Sequence, residues 1–491
     1  MSVRSGLFFS RLEPRPSTVG TGRRQSRAGG TVPGRRGTAL ALTIASALAV
    51  VGGAALVPPP AGATASSPTA GVSLPGTPAG QQARWFVVAV THWPIPTAAI
   101  KAHFDSAVLA VATPAELNAS IEGVKTVQVD SVTTSTPDEL VFVVTVNGTT
   151  KLAVSIAVDP QGLIAGLHLA PAGAAAPAPP PVPSTWAGVD RLVRSAAPEV
   201  RLLVASANAG TCRPLHAIDA TTPAPLGSAF KLYVLDALAG AVASGRARWS
   251  QELTVTSQEK SLPSGILQAD PDGTRLSVQQ VASDMISISD NTAEDMVAGL
   301  VGRAAVEAAA RASGMADPAL DVPFLTTREL FVLKLDDWPQ LATRYLSLGT
   351  AGRLALLAGT VAHYPLSTAD LSKWTAPRDV GSLEWFASPT DICRVFTSLA
   401  AFARQPGLAP VASILELNQG DMDLGSQWRP VWFKGGSEPG VLTLNYMATT
   451  KSGRTYVVSV LTEDPSAPIS ETPAELALLS AVKGAFELAA R

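Results

Sequence analysis

The stretch that organises this chain reads Ser228-Ala-Phe-Lys-Leu-Tyr-Val-Leu-Asp-Ala-Leu-Ala-Gly-Ala-Val242. Its long apolar run predicts a buried helix, and Ser is favoured where helices begin. Residues at i and i+3 on a helix are neighbours, so we expect the Lys231 amine beside the Ser228 hydroxyl. A desolvated amine can take the proton of a Ser nucleophile. The pair therefore indicates acyl transfer without a catalytic His.

The pattern Ser-x-x-Lys occurs at three places, beginning at Ser228, Ser257 and Ser480. Ser257 lies in a polar stretch rich in Pro and Gly, which predicts a loop that leaves Lys260 unburied. Ser480 lies in the last helical segment, with too little chain after it to build a site. Only Ser228 follows a turn and opens a long apolar run, so context favours this copy.

Bulk composition narrows the possible functions. The 491 residues are 46% hydrophobic and 15% charged, which allows a large core divided over several domains. A net charge of −2 argues against nucleic acid as a partner. No metal or nucleotide motif is present, so we expect neither a metal nor another cofactor. For the two cysteines, Cys212 and Cys393, we expect unpaired buried thiols, with one disulfide as the alternative.

The first 65 residues are typical of a targeting segment. Arg residues are frequent before residue 37, and an acid-free apolar stretch follows at 38–57, with Pro and small residues after it. We therefore assign residues 1–65 to a disordered N-terminus and a cleaved secretory signal. The body of the protein is then exported, to the cell envelope or beyond. An uncleaved membrane anchor is the alternative, because the apolar stretch approaches the ~20 residues that span a bilayer.

Composition divides the rest of the chain into a linker (66–82), a small domain (83–169), an Ala/Pro linker (170–185) and a large domain (186–491). In the small domain, helix-like segments precede four strand-like runs, and Asn147-Gly148 predicts a tight hairpin. An α+β layer is expected there. The large domain has strand-like runs at both ends and a helix-rich middle. That order predicts an α/β sandwich with a helical lobe.

Two further motifs follow Ser228. Ser289-Asp-Asn291 lies inside the apolar-patterned segment 278–297, and Lys434-Gly-Gly436 ends a strand-like run. The ordered set Ser-x-x-Lys, Ser-Asp-Asn and Lys-Thr-Gly is the signature of serine β-lactamases and penicillin-binding proteins. The large domain therefore resembles the class A-like branch of that superfamily, whose fold is an antiparallel sheet with a helical lobe.

The resemblance implies catalytic roles for four matching residues. Ser228 would be the acylated nucleophile, and Lys231 would take its proton. Ser289 would relay a proton to the leaving group. Asn291 would contact Lys231 and the substrate amide.

The resemblance also implies a substrate-binding edge formed by Lys434, Gly435, Gly436 and Ser437. Lys434 would supply positive charge to a substrate carboxylate, and the backbone N–H groups of Ser228 and Ser437 would form an oxyanion hole. Gly435 stands where the family has Thr or Ser. That change removes a hydroxyl that would help to hold the carboxylate.

A second departure concerns deacylation. Class A enzymes carry a Glu-x-x-Leu-Asn loop, and its Glu activates water. The corresponding region, 321–331, lacks this motif. Glu329 lies there, but we expect it to pair with Arg328 or to face solvent. Acylation is therefore better supported than deacylation.

The two-domain layout resembles an actinobacterial family that pairs a steroid-isomerase-like, nuclear-transport-factor-2-like domain with a β-lactamase-like domain. One member belongs to the clavulanic acid cluster and is a cephalosporin esterase. The resemblance implies serine-ester or amide hydrolysis. With the predicted export, the leading hypothesis is an exported serine hydrolase that acts on β-lactams or small, cephalosporin-type esters, and we expect a monomer. The alternatives are a D,D-peptidase, a non-catalytic penicillin-binding envelope protein, and isomerase-like chemistry in the small domain.

Overall fold

The computed structural model describes residues 72–491, except for 106–107, 110–113, 138, 160, 173–178, 209, 263 and 367–370. The predicted signal segment, 1–65, lies outside the described residues. Within the described part of the chain, no helix is long and apolar enough to cross a membrane.

The N-terminal unit places helices ahead of an antiparallel sheet, as the sequence predicts. Its helices are α1 (Pro78–Ala89), α2 (Thr97–His103) and α3 (Pro114–Ser120). Its strands are β1 (Val127–Ser135), β2 (Glu139–Val146), β3 (Thr150–Val158) and β4 (Ile164–Pro171), and they lie in sequence order across the sheet. Asn147 and Gly148 adopt φ values of 51° and 74° between β2 and β3, as expected for the predicted hairpin.

Helix α1 begins inside the span that composition assigns to a linker, so the prediction for 66–82 is wrong at its C-terminal end. The Thr77 side chain accepts a hydrogen bond from Gly80 N, and Pro78 occupies the first turn of the helix. Both are ordinary helix-start features. The Pro and Gly residues that predicted a linker at this point therefore belong to the start of helix α1.

The C-terminal unit contains a five-stranded antiparallel sheet in the order β11-β12-β13-β5-β6. Its strands are β5 (Glu199–Asn208), β6 (Thr211–Ile218), β11 (Trp432–Glu438), β12 (Val441–Thr449) and β13 (Thr455–Glu463). Short strands lie between them in sequence: β7 (Ala224–Pro225), β8 (Glu252–Thr254), β9 (Arg275–Ser277) and β10 (Phe386–Ala387). The sheet thus joins strands from both ends of the domain, as predicted for an α/β sandwich.

The helices of this unit are α4 (Trp186–Ala196), α5 (Lys231–Ala243), α6 (Val278–Ser287), α7 (Asn291–Val301), α8 (Arg303–Ala312), α9 (Thr327–Leu335), α10 (Gln340–Leu346), α11 (Thr350–Gly359), α12 (Pro389–Ala403), α13 (Pro410–Leu415) and α14 (Glu471–Ala490). Alternate strand residues face opposite sides of the sheet. On β13, Val458 and Val460 join the core with α4 and α14. Val457 and Leu461 join the core with α5 and α12. The sheet is therefore covered by helices on both faces.

The two cysteines form a disulfide, so the expectation of unpaired thiols is wrong. Cys212 on β6 and Cys393 on α12 are joined across a sequence separation of 181 residues. Strand β6 forms one edge of the sheet, and α12 packs on the adjacent face. The fold brings the two thiols together, which no local sequence pattern indicates.

Removing this disulfide should lower the free energy of unfolding of Cys212→Ser/Cys393→Ser by about 2–5 kcal/mol, because the crosslink restricts the unfolded chain. Urea unfolding of the double variant and of the parent protein measures the difference. Parent protein in a reducing buffer should match the variant. Equal midpoints, together with two titratable thiols in denatured, unreduced parent protein, would contradict the pairing.

Candidate active site

The nucleophile candidate Ser228 lies in a 3-10 turn, Gly227–Phe230, and helix α5 begins at Lys231. Gly227 adopts φ 50°, in the region that favours glycine, and so allows the chain to enter this turn. Ser228 is half-buried, whereas Lys231 is 0% exposed. The predicted pair therefore lies at the start of the buried helix. Only Ser228 of the two residues is partly exposed.

The Lys231 amine lies at the centre of the site. Its Nζ donates to Asn291 Oδ1 at 2.5 Å and to Ser289 O at 2.6 Å. It also lies 3.3 Å from Ser289 Oγ and 3.5 Å from Ser228 Oγ. The structure thus brings the other three predicted catalytic residues around the Lys231 nitrogen.

Burial lowers the pKa of Lys231 to about 8, although the carboxyl groups of Glu294, Asp290 and Asp295 oppose the shift. A normal Lys titrates near 10.4. The lowered pKa leaves a useful neutral fraction of the amine near neutral pH. Neutral amine is the form that can accept a proton from Ser228.

Ser289 lies between two helices, at a break inside the apolar-patterned segment 278–297. Helix α6 ends at Ser287 and α7 starts at Asn291, while Ser289 adopts φ 57° between them. Asp290 caps α7 by accepting from Ala293 N at 2.8 Å, and its second oxygen accepts from the backbone N–H groups of Ile266 and Leu267. The break between the helices places Ser289 beside Lys231 and Lys434, and the hydrogen bonds of Asp290 stabilise the loop.

Lys434 approaches from β11 and is 4% exposed. Its Nζ donates to Ser289 Oγ at 3.0 Å and to Gly435 O at 2.8 Å. Burial and the Lys231 charge hold the pKa of Lys434 well below its usual range. Ser289 Oγ therefore lies between two lysines and can exchange protons with either.

The backbone of the nucleophile turn lies directly against β11. A Cβ atom on Gly227 would stand 2.8 Å from Ser437 N, and one on Gly436 would stand 2.6 Å from Ser228 N. Neither position has room for a side chain. This contact brings the N–H groups of Ser228 and Ser437 to the same edge of the site, which is the arrangement an oxyanion hole needs.

The Gly at position 435 has a structural explanation. A Cβ there would lie 2.8 Å from Cζ of Phe433 and 3.2 Å from Thr443 O. Phe433 belongs to the apolar core between the sheet and helices α4 and α14. The aromatic ring therefore occupies space that a Thr side chain would need.

The other two Ser-x-x-Lys copies make unrelated contacts. Ser257 Oγ and Lys260 Nζ both contact Asp272 rather than each other. Ser480 Oγ donates to Pro180 O at 2.8 Å and ties the end of the predicted Ala/Pro linker to α14. Both copies have structural contacts, as the sequence context suggested.

Glu329 neither pairs with Arg328 nor faces solvent, so that expectation is wrong. It accepts from Arg303 at 2.7 and 3.0 Å, and it completes a capping box with Thr326 at the start of α9. These bonds engage both carboxylate oxygens. A role for Glu329 in water activation therefore has no geometric support.

Sequence reasoning missed two acidic residues at the site. Glu294 lies one turn after Asn291 on α7, is 0% exposed, and is the charged group with the largest influence on Lys231. The i, i+3 spacing from Asn291 is a signal that could have found it. Glu384 accepts a hydrogen bond from Gly227 N at 3.0 Å. No local signal links these two residues, which are 157 positions apart.

In the part of the chain that the structure describes, no group of three or more His, Cys, Asp or Glu residues could hold a metal ion. The arrangement instead offers a hydroxyl nucleophile, a buried amine of lowered pKa, a second hydroxyl between two amines, and paired backbone N–H donors. Together these groups suit the formation and breakdown of an acyl ester.

The chain belongs to the beta-lactamase enzyme family, whose profile matches residues 187–483. The predicted β-lactamase-like fold of the large domain, with its antiparallel sheet and helices, is thereby confirmed. A second profile, described as the N-terminal part of the ORF 12 gene product, matches residues 74–164. The steroid-isomerase-like assignment of that domain stays a prediction.

Among solved structures, the chain is similar to a β-lactamase from Sphaerobacter thermophilus, at 22% identity and a TM-score of 0.44, over 62% of this chain and 96% of that one. It is also similar to PBP-A in an acyl-enzyme complex with penicillin G, at 17% identity and a TM-score of 0.40, over 63% and 99% of the two chains. A β-lactamase from Chitinophaga pinensis gives 17% identity and a TM-score of 0.41, over 62% and 98%. No curated protein matches this chain.

Proposed function

We propose that this protein is an exported serine hydrolase that forms an acyl-enzyme on Ser228, with β-lactams or small esters as substrates. One observation carries the proposal: the Lys231 amine lies within reach of Ser228 Oγ and Ser289 Oγ, with a pKa of about 8. A base placed against a hydroxyl nucleophile is the basic requirement of covalent acyl transfer.

Acylation follows from these contacts. Ser228 Oγ bonds to the substrate carbonyl carbon while its proton passes to neutral Lys231. The N–H groups of Ser228 and Ser437 stabilise the resulting oxyanion. The bond from carbon to the leaving nitrogen or oxygen then breaks. Ser289 donates its proton to the leaving atom and regains one from Lys231.

Deacylation distinguishes the leading function from a second candidate, a penicillin-binding or D,D-peptidase-like protein with a persistent acyl-enzyme. The observation that favours the second candidate is the engagement of Glu329 by Arg303 and Thr326. The chain also lacks the Glu-x-x-Leu-Asn motif. Activation of the attacking water then depends on Lys231. This amine is neutral again once its proton has been passed on to the leaving group.

The charge of the preferred substrate can also be inferred. Gly435 supplies no hydroxyl, and the Lys434 amine already donates to Ser289 Oγ and Gly435 O, so the site offers little to a substrate carboxylate. A neutral ester is better suited to it.

The disulfide between Cys212 and Cys393 supports export, because disulfides persist in oxidising compartments.

Intact-mass spectrometry tests the proposal. The full chain is exposed separately to penicillin G and to p-nitrophenyl acetate, and peptide mapping then locates any adduct. We expect one acyl group, on the peptide that holds Ser228. A short-lived adduct with product release supports a hydrolase, whereas an adduct stable for hours supports the penicillin-binding alternative. Labelling at Ser257 or Ser480 instead, or neither labelling nor consumption of either probe, would overturn the acyl-enzyme.

A further inference from the structure

The nucleophile turn is held by a residue outside the three motifs. Glu384 is 5% exposed, and its Oε2 accepts from Gly227 N at 3.0 Å and from Trp385 N at 3.3 Å. Leu226 N donates to Trp385 O at 2.9 Å, and strands β7 and β10 pair beside it. The backbone that leads into Ser228 is thus fixed from the side of Glu384.

The other half of the oxyanion hole is anchored in a similar way. Glu438 follows Ser437 on β11, and its carboxylate accepts from Lys334 Nζ at 2.6 and 2.7 Å. The Lys334 side chain is 0% exposed and that of Glu438 is 5% exposed. This buried pair ties β11 to helix α9.

These anchors form one charge cluster, made of Glu384, Glu438 and Lys334. Burial raises the pKa of Glu384 to about 8, the Glu438 charge adds to the rise, and Lys334 opposes it. Two buried carboxyl groups thus influence one another, and Lys334 partly offsets their charge. The second oxygen of Glu384, Oε1, is buried and has no hydrogen-bond partner among the described residues, so the backbone contacts of this side chain are made through Oε2.

We propose that Glu384 is a positioning residue: through Gly227 N it holds the nucleophile turn against Gly436 and Ser437 of β11, and Glu438 with Lys334 holds β11 from the other side. This inference rests on the proposed function and assigns it a residue that the three motifs do not contain. Gly227 and Gly436 pack too closely for side chains, so loss of the Glu384 contact lets the turn move relative to β11. A displacement of about 1 Å at such a site can slow chemistry by about 10²-fold.

The test uses Glu384→Ala and Glu384→Gln in the full chain. Because the amide carbonyl of Gln can take the place of Oε2, it can accept from Gly227 N and rescue the site. We expect Glu384→Ala to lower the acylation rate constant by about 10²-fold without changing the dissociation constant of the preceding complex. Hydrogen exchange of the segment 224–230 in ligand-free protein should rise by about tenfold. Glu384→Gln should match the parent protein in the acylation rate constant and in hydrogen exchange of this segment.

Asp236 provides a matched control. It is 3% exposed and accepts from Ser398 Oγ at 2.7 Å, away from the turn, so Asp236→Ala should leave exchange of 224–230 unchanged. If Glu384→Ala does not fold, Glu384→Asp, shorter by one methylene, should show the same losses. Parent-like exchange in the Ala or Asp variant, or a Gln variant as impaired as Ala, would overturn the positioning role.

The two proposals can fail separately. If the parent protein neither is acylated by either probe nor consumes it, the proposed function fails, and the exchange measurement alone decides the role of Glu384. If acylation occurs and exchange rises in Glu384→Ala while the acylation rate constant stays at the parental value, the positioning role is wrong and the proposed function stands.

Discussion

Ser228→Ala is expected to lose all covalent labelling and to slow substrate hydrolysis by about 10⁴–10⁶-fold, the range that follows removal of a catalytic nucleophile. The substitution removes the attacking oxygen. It leaves Lys231 with its bonds to Asn291 and Ser289 O, so the buried lysine keeps its partners. Single-turnover acylation followed by mass spectrometry is the measurement.

Ser257→Ala is the matched control for this experiment, because Ser257 begins a second Ser-x-x-Lys and contacts Asp272 on the surface. It should react like the parent protein. Hydrolysis that survives in Ser228→Ala would place the chemistry elsewhere, for example in the N-terminal unit.

Lys231→Met is expected to slow acylation by about 10²–10⁴-fold, the contribution of a positioned general base. In the parent protein the neutral amine is the reactive form. Since burial lowers the pKa of Lys231 to about 8, the acylation rate should increase as pH rises from 6 and level off above about 8. The Met variant should lose this increase.

Two controls make the Lys231 experiment specific. Lys260→Met removes a lysine that pairs with Asp272 on the surface, and it should keep the parental pH profile. Thermal unfolding of Lys231→Met shows whether the carboxyl groups left near the site, Glu294 and Asp290, destabilise the fold. A folded Met variant with parental rate and pH profile would exclude Lys231 as the base.

Local patterns predicted the parts of the molecule that depend on local structure. The spacing of Ser228 and Lys231 follows from helix geometry, and Asn147-Gly148 follows from the conformational needs of a two-residue turn. The sandwich was predictable because strand-like runs stand at both ends of the domain. Even here the break at Ser289 was missed, since the apolar pattern continues across it while Asp290 caps a new helix.

The remaining features depend on contacts that are distant in sequence. Glu384 meets Gly227 from 157 positions away, and Lys334 meets Glu438 from 104. The disulfide spans 181. Burial selects these partners once the sheet has formed, and a single sequence carries no periodic signal for them. The same holds for the glycine at position 435, which is explained by the position of the Phe433 ring.

The joining of β5 to β13 in one sheet has a consequence for biosynthesis. Leu203 is paired with Ser459, and Thr443 Oγ1 reaches Leu226 O across 217 positions. A nascent chain that has emerged only as far as the helical lobe lacks β11, and therefore Lys434 and the Ser437 N–H. Such high contact order slows folding, and it means that the candidate site cannot assemble until nearly all of the domain has left the ribosome.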